Sequence, residues 1–259
     1  MTELDRKLIR KTDDKEPVRL NKYLSDAGFC SRREADRLID AGRVYVDGAL
    51  AVMGQKVMPG QSVKVDSFDV KPTDELILIA YNKPACIECT TAEDVKNNII
   101  EAVGYPERVY PIGRLDRDST GLILLTNTGE LVNSILRSVN SHEKEYVVTV
   151  DKPINNDFLK NMRDGVLLKD VPTRRGSEDM VTKKCSVNKI GDKIFSITLT
   201  QGINRQIRRM CKALGYNVTA LHRIRIMNIE LGSLPVGKYR SVSEQEAKEL
   251  IAELSGSSR

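Results

Sequence analysis

The residues of this chain best suited to chemistry lie in one loop, from Gly113 to Thr126. The loop reads Gly-Arg-Leu-Asp-Arg-Asp-Ser-Thr-Gly and runs into Leu-Ile-Leu-Leu-Thr, which predicts a buried strand. Asp116 therefore stands between two arginines at the entrance to a strand. A carboxylate held rigidly beside cations is suited to nucleophilic or general-base chemistry. A simpler interpretation is a turn in which Asp116 accepts hydrogen bonds from backbone amides.

A calcium loop is a third interpretation of the same residues. Asp116, Asp118, Thr120 and Gly121 fall on positions 1, 3, 5 and 6 of that pattern. Position 12 holds Asn127 instead of the bidentate acid, and no amphipathic helix enters the loop. We therefore do not expect a calcium site.

The cysteines provide a second candidate site, because Cys86 and Cys89 form a C-x-x-C pair. Zinc would require two further ligands, and none of the remaining Cys or His residues is paired at ligand spacing. Five cysteines, an odd number, do not suggest a disulfide framework. We expect them to fill small sites in a protein of the reducing cytosol.

Composition and charge favour a polyanionic partner. The chain has 259 residues with 40% hydrophobic content, enough for a core in two domains. The net charge of +5 is modest, but seven Lys or Arg and no acid lie between Lys193 and Asn228. No apolar run of 18 residues and no signal-peptide core occur, so we expect a cytoplasmic protein without a membrane partner.

The helix expected after Gly202 carries two opposed stripes. Apolar Ile207, Met210, Cys211 and Leu214 recur at the spacing of one helical face and should contact the core. The opposite face carries a basic stripe with no interleaved acids, which favours contact with anions over simple solvation. That stripe consists of Arg205, Arg208, Arg209 and Lys212.

Patterning divides the chain into five parts: a disordered arm at 1–16, a compact module at 17–65, a linker at 66–75, a larger domain at 76–254 and a flexible tail at 255–259. In the module, two helices should end at Gly28 and Gly42, the second capped by Ser31 with Glu34, and a hairpin should turn at Asp47-Gly48. In the larger domain we expect strands at 76–81, 142–150 and 194–200, a short helix at 131–136, a polar loop at 169–180 and a final helix capped by Ser243.

The module resembles the S4 RNA-binding domain. The matching motifs are Arg19-Leu20-Asn21-Lys22-Tyr23-Leu24, Ser31-Arg32-Arg33-Glu34-Ala35, Gly42-Arg43-Val44 and Val46-Asp47-Gly48. In that family the two helices present basic and polar side chains to folded RNA, and phosphate contacts of this kind position the protein. The resemblance implies RNA contacts by Arg19, Lys22, Ser31, Arg32 and Arg33.

The larger domain resembles the pseudouridine synthases, in the group of ribosomal enzymes designated A (for the small subunit) and B, E and F (for the large subunit). Four motifs occur in the family order: Lys83-Pro84, Gly113-Arg114-Leu115-Asp116, Lys144-Glu145-Tyr146 and Asn204-Arg205-Gln206-Ile207-Arg208-Arg209-Met210. A glycine that follows the Lys-Pro motif in the family is missing here. The segment from Glu143 to Pro153 and the Asn-Arg-Gln-Ile-Arg-Arg-Met motif look most like the F type, which acts on 23S rRNA.

This resemblance implies a fold, an activity and site residues. The fold is α+β, with an N-terminal S4-like domain before a catalytic domain built on a long, mainly antiparallel mixed sheet with a central cleft. Asp116 would be the catalytic residue, Arg208 its partner and Tyr146 the residue over the target base. Substrate contacts would come from Lys83, Arg114, Asn204, Arg205, Gln206 and Arg209.

The implied reaction isomerises uridine to pseudouridine in RNA and needs no cofactor, and we expect a monomer. Two roles are open to Asp116: a nucleophile at the ribose C1′ or a base at C2′. The alternatives to a 23S rRNA substrate are 16S rRNA or a tRNA anticodon loop. A non-catalytic RNA-binding protein is a further alternative, which the joint presence of Asp116, Tyr146 and Arg208 disfavours.

Overall fold

The computed structural model describes residues 16–71, 76–92, 94–137, 142–173 and 176–256. The expected arm, apart from its last residue, and the end of the expected tail lie outside these ranges. Two compact units are present. The first comprises the described part of Met1–Leu78 with Tyr105–Tyr110 and Thr126–Val132, and the second contains Ile79–Gly104, Pro111–Leu125 and the remaining chain from Asn133. No helix in the described ranges has the length and apolar character needed to cross a membrane.

The first unit begins with two short helices, followed by a small sheet. Its elements are β1 (Val18–Arg19), α1 (Leu20–Asp26), α2 (Arg32–Asp40), β2 (Val44–Val46), β3 (Ala49–Leu50), β4 (Lys56–Val57), β5 (Val63–Val65) and β6 (Phe68–Val70). The strand order of the sheet is β3-β2-β5-β6, and every pair is antiparallel. The helices bury Leu20, Leu24, Leu38 and Ile39 against Val44 and Val63.

Local sequence signals set the ends of these elements. The Ser31 hydroxyl accepts a hydrogen bond from the Glu34 amide at 3.0 Å, which caps α2 as expected. Asp47 and Gly48 both have positive φ, as a two-residue hairpin turn between β2 and β3 requires. Helices, caps and hairpin in this unit therefore follow from short-range patterns.

The expected linker at 66–75 starts later than its composition suggested. Phe68–Val70 forms β6 and pairs with β5, with Val70 buried opposite Val63. The alternation of Phe68, Asp69 and Val70 places one apolar side chain in the core, so this stretch extends the module. Residues 72–75 lie outside the described part of the chain.

Two later segments complete the first unit. The Tyr110 hydroxyl donates to the Ser25 carbonyl at 2.9 Å. The Ile77 amide donates to the Asn127 side chain at 3.0 Å. These contacts join residues far apart in sequence, so composition along the chain could not indicate them.

The remaining elements alternate helices with long strands. They are β7 (Leu78–Lys83), α3 (Ile99–Val103), β8 (Tyr110–Ile112), β9 (Thr120–Thr126), α4 (Gly129–Arg137), β10 (Lys144–Val150), α5 (Asn156–Asp164), β11 (Leu167–Thr173), β12 (Gly176–Val181), β13 (Ser186–Lys189), β14 (Ile194–Leu199), α6 (Gln206–Ala213), β15 (Val218–Ile226), β16 (Ile229–Glu230), β17 (Tyr239–Ser241) and α7 (Glu244–Gly256). The predicted strands, the short helix and the final helix are all present, with β7 shifted two residues toward Pro84. Ser243 and Glu246 form the predicted reciprocal cap of α7.

Nine strands in the described residues form one large mixed sheet. Its central order is β13-β14-β10-β15-β9-β7-β17, with β8 beside β9 and β16 beside β15. The β9–β15 pair is parallel, whereas β10 pairs antiparallel with both β14 and β15. The expected α+β fold with a mainly antiparallel mixed sheet is confirmed.

The segment 169–180, expected to be a polar loop, is instead most of a β-hairpin. β11 and β12 pair antiparallel, with a register shift between Leu168 and Val171. Leu168 and Val171 are buried although the residues around them are polar, because one face of the hairpin joins the core. The two arginines at 174–175 lie outside the described residues.

Candidate active site

Asp116 lies in a tight turn between β8 and β9. The Ser119 amide donates to the Asp116 carbonyl at 3.0 Å, closing the turn, and Ser119 is only 1% exposed. The Asp116 side chain remains 26% exposed. The backbone at the entrance of β9 is thus fixed while the carboxylate stays accessible, as a reacting group requires.

Two arginines from one segment approach this carboxylate. Arg208 Nε lies 3.7 Å from Asp116 Oδ2, and Arg205 Nη1 lies 3.6 Å from the same oxygen. Both distances are longer than a hydrogen bond, so these contacts are ion pairs that attract and orient the carboxylate. The structure therefore brings together Asp116 and Arg208, as the resemblance implied, and adds Arg205.

Hydrogen bonds hold Arg208 in place. Its two terminal nitrogens donate to the Val218 carbonyl at 3.3 Å and to the Ser119 hydroxyl at 3.4 Å. Its Nε is buried and has no hydrogen-bond partner among the described residues. The donor nearest Asp116 is thus not taken up by another acceptor among those residues.

Arg205 reaches Asp116 from an unusual backbone conformation. It precedes α6 with φ of 52°, in the left-handed region that L residues seldom adopt. Residues held in such conformations cluster at functional sites. The sequence indicated Arg205 as an RNA contact, but its place beside the carboxylate depends on this turn.

Tyr146 lies on β10, and β15 separates β10 from the strand that follows Asp116. The ring is half-buried and packs against the main core of the second unit. Its cross-strand partner on β15 is Arg223, whose Cζ is 5.9 Å from the ring centroid. Arg223 was not among the residues that the motifs indicated, although it belongs to the acid-free basic region at 193–228.

Lys83, expected to contact substrate, is entirely buried. Its ammonium group donates to the carbonyls of Pro84, Ile87 and Arg117 at 2.8, 2.9 and 3.2 Å. Burial lowers the pKa of Lys83 from its usual value. In this structure every part of the side chain is enclosed and the ammonium is engaged with backbone, so Lys83 supports the turn beside Asp116 from within.

The C-x-x-C residues support the same loop. The Cys86 amide donates to the Arg117 carbonyl at 2.9 Å, and Cys89 Sγ accepts from the Leu115 amide at 3.3 Å. Both thiols are free. Together with Lys83, the two cysteines therefore hold Leu115 and Arg117, the residues on either side of Asp116. The C-x-x-C pair thus has a structural role in this loop.

Comparison with known proteins identifies the family. A family model described as RNA pseudouridylate synthase matches residues 77–213, more than half of the chain, and an S4 domain model matches residues 18–53. The chain belongs to the RNA pseudouridine synthase family. The synthase is 50% identical over 243 residues to the dual-specificity RNA pseudouridine synthase RluF of Salmonella typhi, covering 93% of this chain and 81% of that protein.

Other relatives agree with this assignment. The RluF protein of Escherichia coli K12 is 49% identical over 243 residues, covering 93% of this chain and 81% of that protein. The ribosomal large subunit pseudouridine synthase B of Bacillus subtilis is 31% identical over 237 residues, covering 90% and 96% of the two chains. A crystal structure of a pseudouridylate synthase superposes with a TM-score of 0.63 at 26% identity, covering 90% of this chain and 99% of that one.

The remaining residues expected to bind substrate in the catalytic unit of the synthase differ in exposure. Arg114 and Asn204 are exposed, and Arg209 is half-buried with Nε donating to the Asn204 carbonyl at 3.2 Å. Gln206 is buried, and its side-chain oxygen accepts from the Ile203 amide at 3.2 Å. In this structure the Gln206 side chain therefore holds the loop that precedes α6.

In the S4 domain of the synthase, the predicted RNA contacts divide into two groups. Arg19, Arg32 and Arg33 are exposed. Lys22 instead forms an ion pair with Asp26 at 2.9 Å, and Ser31 is engaged as the α2 cap. The exposed arginines are thus the better candidates for phosphate contacts.

Proposed function

We propose that this synthase isomerises a specific uridine in 23S rRNA, with Asp116 as the catalytic carboxylate. The observation that carries the proposal is the accessible Asp116 carboxylate with Arg205 and Arg208 within 3.7 Å of it. The name of the Bacillus subtilis relative, which refers to the ribosomal large subunit, and the likeness to RluF support a target in 23S rRNA.

The reaction rearranges atoms within one nucleotide. The bond between the ribose C1′ and uracil N1 breaks, the uracil rotates, and C5 bonds to C1′. The proton leaves C5 and N1 ends protonated, so nothing is oxidised and no group donor or cofactor is required. Asp116 acts either as a nucleophile at C1′ or as a base at C2′. Arg205 and Arg208 orient it in both cases.

Tyr146 would receive the extruded uracil. The uridine must leave its stack, which costs a few kcal/mol and favours loops and bulges over regular helices. Stacking on an aromatic ring restores about 1–3 kcal/mol per base. Tyr146 lies on β10, two strands from β9, the strand that follows Asp116 in the same sheet.

A second RNA substrate is supported by a specific observation. The two RluF relatives, which are 50% and 49% identical to this chain, are named dual-specificity enzymes. We propose the same reaction on a tRNA anticodon loop as the second activity, because such loops present unstacked uridines. A single catalytic aspartate would serve both RNAs.

The S4 domain would supply affinity. The exposed Arg19, Arg32 and Arg33 are placed to contact phosphates, which position a protein on RNA without reading its sequence. We propose a functional division into an RNA-binding domain that extends through β6 and a catalytic domain from about residue 76. The synthase would act as a monomer in the cytoplasm, where its RNA substrates are.

Mapping pseudouridines in total RNA tests this function. RNA from cells with the gene, without it, and with Asp116→Asn in its place should be compared at each uridine of rRNA and tRNA. We expect one 23S rRNA site and one tRNA site to lose pseudouridine in both altered strains. A target confined to 16S rRNA, or normal modification by the Asn variant, would refute the proposal.

A further inference from the structure

A β-bulge separates two arginines of β15. Glu145 pairs with Arg225, but the next residue of β10, Tyr146, pairs with Arg223, so Ile224 is left without a partner of its own. Cross-strand partners share a face of the sheet, and a bulge redirects side chains next to active sites. The two arginines therefore lie on opposite faces, although a single residue separates them.

The two arginines have different surroundings. Arg225 forms ion pairs with Glu143 at 2.9 Å and Glu145 at 3.0 Å. Arg223 is only 3% exposed, and no acid in the described residues pairs with it. The Nη2 atom of Arg223 is also buried and has no hydrogen-bond partner among the described residues. Burying a guanidinium without a paired carboxylate destabilises the fold. A purely structural role therefore does not explain why an arginine occupies this position.

The contacts that Arg223 does make connect the two halves of the site. Its Nε donates to the Leu122 carbonyl on β9 at 2.7 Å. Its Cζ lies 5.9 Å from the centre of the Tyr146 ring on β10, within the range of a cation–π interaction. One side chain therefore contacts both the strand that follows Asp116 and the tyrosine expected to hold uracil.

The backbone of β15 approaches β9 closely at the same point. A Cβ on Gly121 would lie 2.2 Å from the Arg223 carbonyl oxygen, so only glycine fits in this pairing. Gly121 and Arg223 are direct partners in the parallel β9–β15 ladder. The base of the Arg223 side chain is thus fixed against β9, five residues after Asp116.

We propose that Arg223 is a positioning residue that backs the Tyr146 ring and holds it in register with the Asp116 strand, so that the other ring face receives the uracil. This inference rests on the proposed roles of Asp116 and Tyr146. Arg223 is enclosed whereas the tyrosine is half-buried, and for this reason we place the arginine on the inner side of the ring. Arg223 itself touches no reacting atom and adds no chemical step.

The neighbouring lysine supports this arrangement. Lys144 precedes Tyr146 by two residues on β10, so the two side chains share a face of the strand. Burial first, and the charge of Arg223 second, lower the pKa of Lys144 to about 8. The charge effect indicates that the Lys144 ammonium lies near the Arg223 guanidinium, on the side of β10 that carries Tyr146.

The test compares Arg223→Gln with Arg225→Gln. Arg225 is a matched control because it belongs to the same strand but lies on the opposite face, where it pairs with two glutamates. Single-turnover rates at saturating enzyme, dissociation constants for a target-loop RNA, and melting temperatures should be measured for both. We expect Arg223→Gln to lower the rate by about tenfold or more with an almost unchanged dissociation constant, since small misplacements of reacting groups cost this much. Arg225→Gln should keep the rate within about twofold.

A double-mutant cycle distinguishes positioning from general support. In a Tyr146→Leu background the ring is gone, so Arg223→Gln should change the remaining rate by less than about twofold. An undiminished effect there, or a parallel loss of RNA affinity, would overturn the inference. If Arg223→Gln does not fold, Arg223→Lys, which keeps the charge and a donor for Leu122, carries the test: an intermediate rate supports the inference and a wild-type rate overturns it.

The failure of this inference is distinguishable from failure of the proposed function. If Tyr146→Leu or Asp116→Asn keeps the wild-type rate, the proposed catalytic roles fail first. If both are slow while Arg223→Gln and Arg225→Gln behave alike, the roles stand and only the positioning by Arg223 is refuted.

Discussion

Arg208 Nε lies 3.7 Å from the Asp116 carboxylate while the terminal nitrogens of the same guanidinium are bound to Ser119 and Val218. The arginine is therefore held on its far side, and the Nε that faces the aspartate has no hydrogen-bond partner in the part of the chain that the structure describes. This geometry suits a site that tightens when the substrate nucleotide excludes water, since charge attraction strengthens as water leaves.

The first prediction concerns Arg208 and its neighbour Arg209. Arg208→Lys should reduce the single-turnover rate by about tenfold or more with little loss of RNA affinity, because lysine lacks the planar fork that binds Ser119, Val218 and Asp116 together. Arg209→Lys is the matched control and should leave the rate almost unchanged, since Arg209 contacts the Asn204 carbonyl and no residue of the aspartate turn. Equal, small effects of the two substitutions would remove Arg208 from the active site.

The second prediction concerns the exposed arginines of the S4 domain. Replacing both Arg32 and Arg33 with Gln should weaken RNA binding and flatten its salt dependence. The slope of log K against log salt should change by about 0.7 for each phosphate of single-stranded RNA that is no longer neutralised. Arg37→Gln is the control, because Arg37 already pairs with Glu34 at 3.0 Å. An unaltered slope in the double variant would show that this surface does not bind RNA.

The third prediction concerns Gly121. Gly121→Ala should destabilise the fold by roughly 3 kcal/mol or more, because the new Cβ would meet backbone atoms of Arg223 and φ is +98°. Gly232→Ala provides a control with positive φ and open space around it. Denaturant titrations of both variants give the comparison. A Gly121→Ala protein as stable as Gly232→Ala would mean that β9 and β15 are not packed so closely.

The fourth prediction concerns pH and Lys144. The pKa of this lysine falls to about 8 in the folded protein, mainly through burial, from an ordinary value of 10.5. Between these values the unfolded chain binds the proton and the folded protein does not, so stability rises with pH across this window. Below about pH 8 the folded protein keeps the ammonium charged in its buried position. This charge then destabilises the folded state by its full amount, at most roughly 3 kcal/mol before solvent screening.

Lys144→Met removes this titration. The free energy of unfolding of the wild type, relative to the Met variant, should therefore increase from pH 8 to pH 10.5. Chemical denaturation of the two proteins at several pH values measures the difference. A difference that stays constant or decreases with pH would show that the folded protein does not lower the pKa of Lys144.

Short-range patterns in the sequence determined much of this protein. The S4 helices, their caps, the hairpin at Asp47-Gly48 and the two stripes of the helix after Gly202 follow from local periodicity and turn chemistry, which act over a few residues. The order of the motifs likewise indicated the family, and the ion pair between Asp116 and Arg208 agrees with it. These features need no knowledge of which distant strands pair.

Tertiary structure alone decided which motif residues are buried and which are accessible. Lys83 and Gln206 look like surface polar residues in the sequence, yet both are buried because carbonyls and amides of neighbouring turns surround them. Arg205 reaches Asp116 through a left-handed turn, and a single extra residue in β15 sends Arg223 to Tyr146 and Arg225 to the glutamates. Burial and cross-strand partners depend on contacts between residues far apart along the chain, so periodicity along one segment does not contain them.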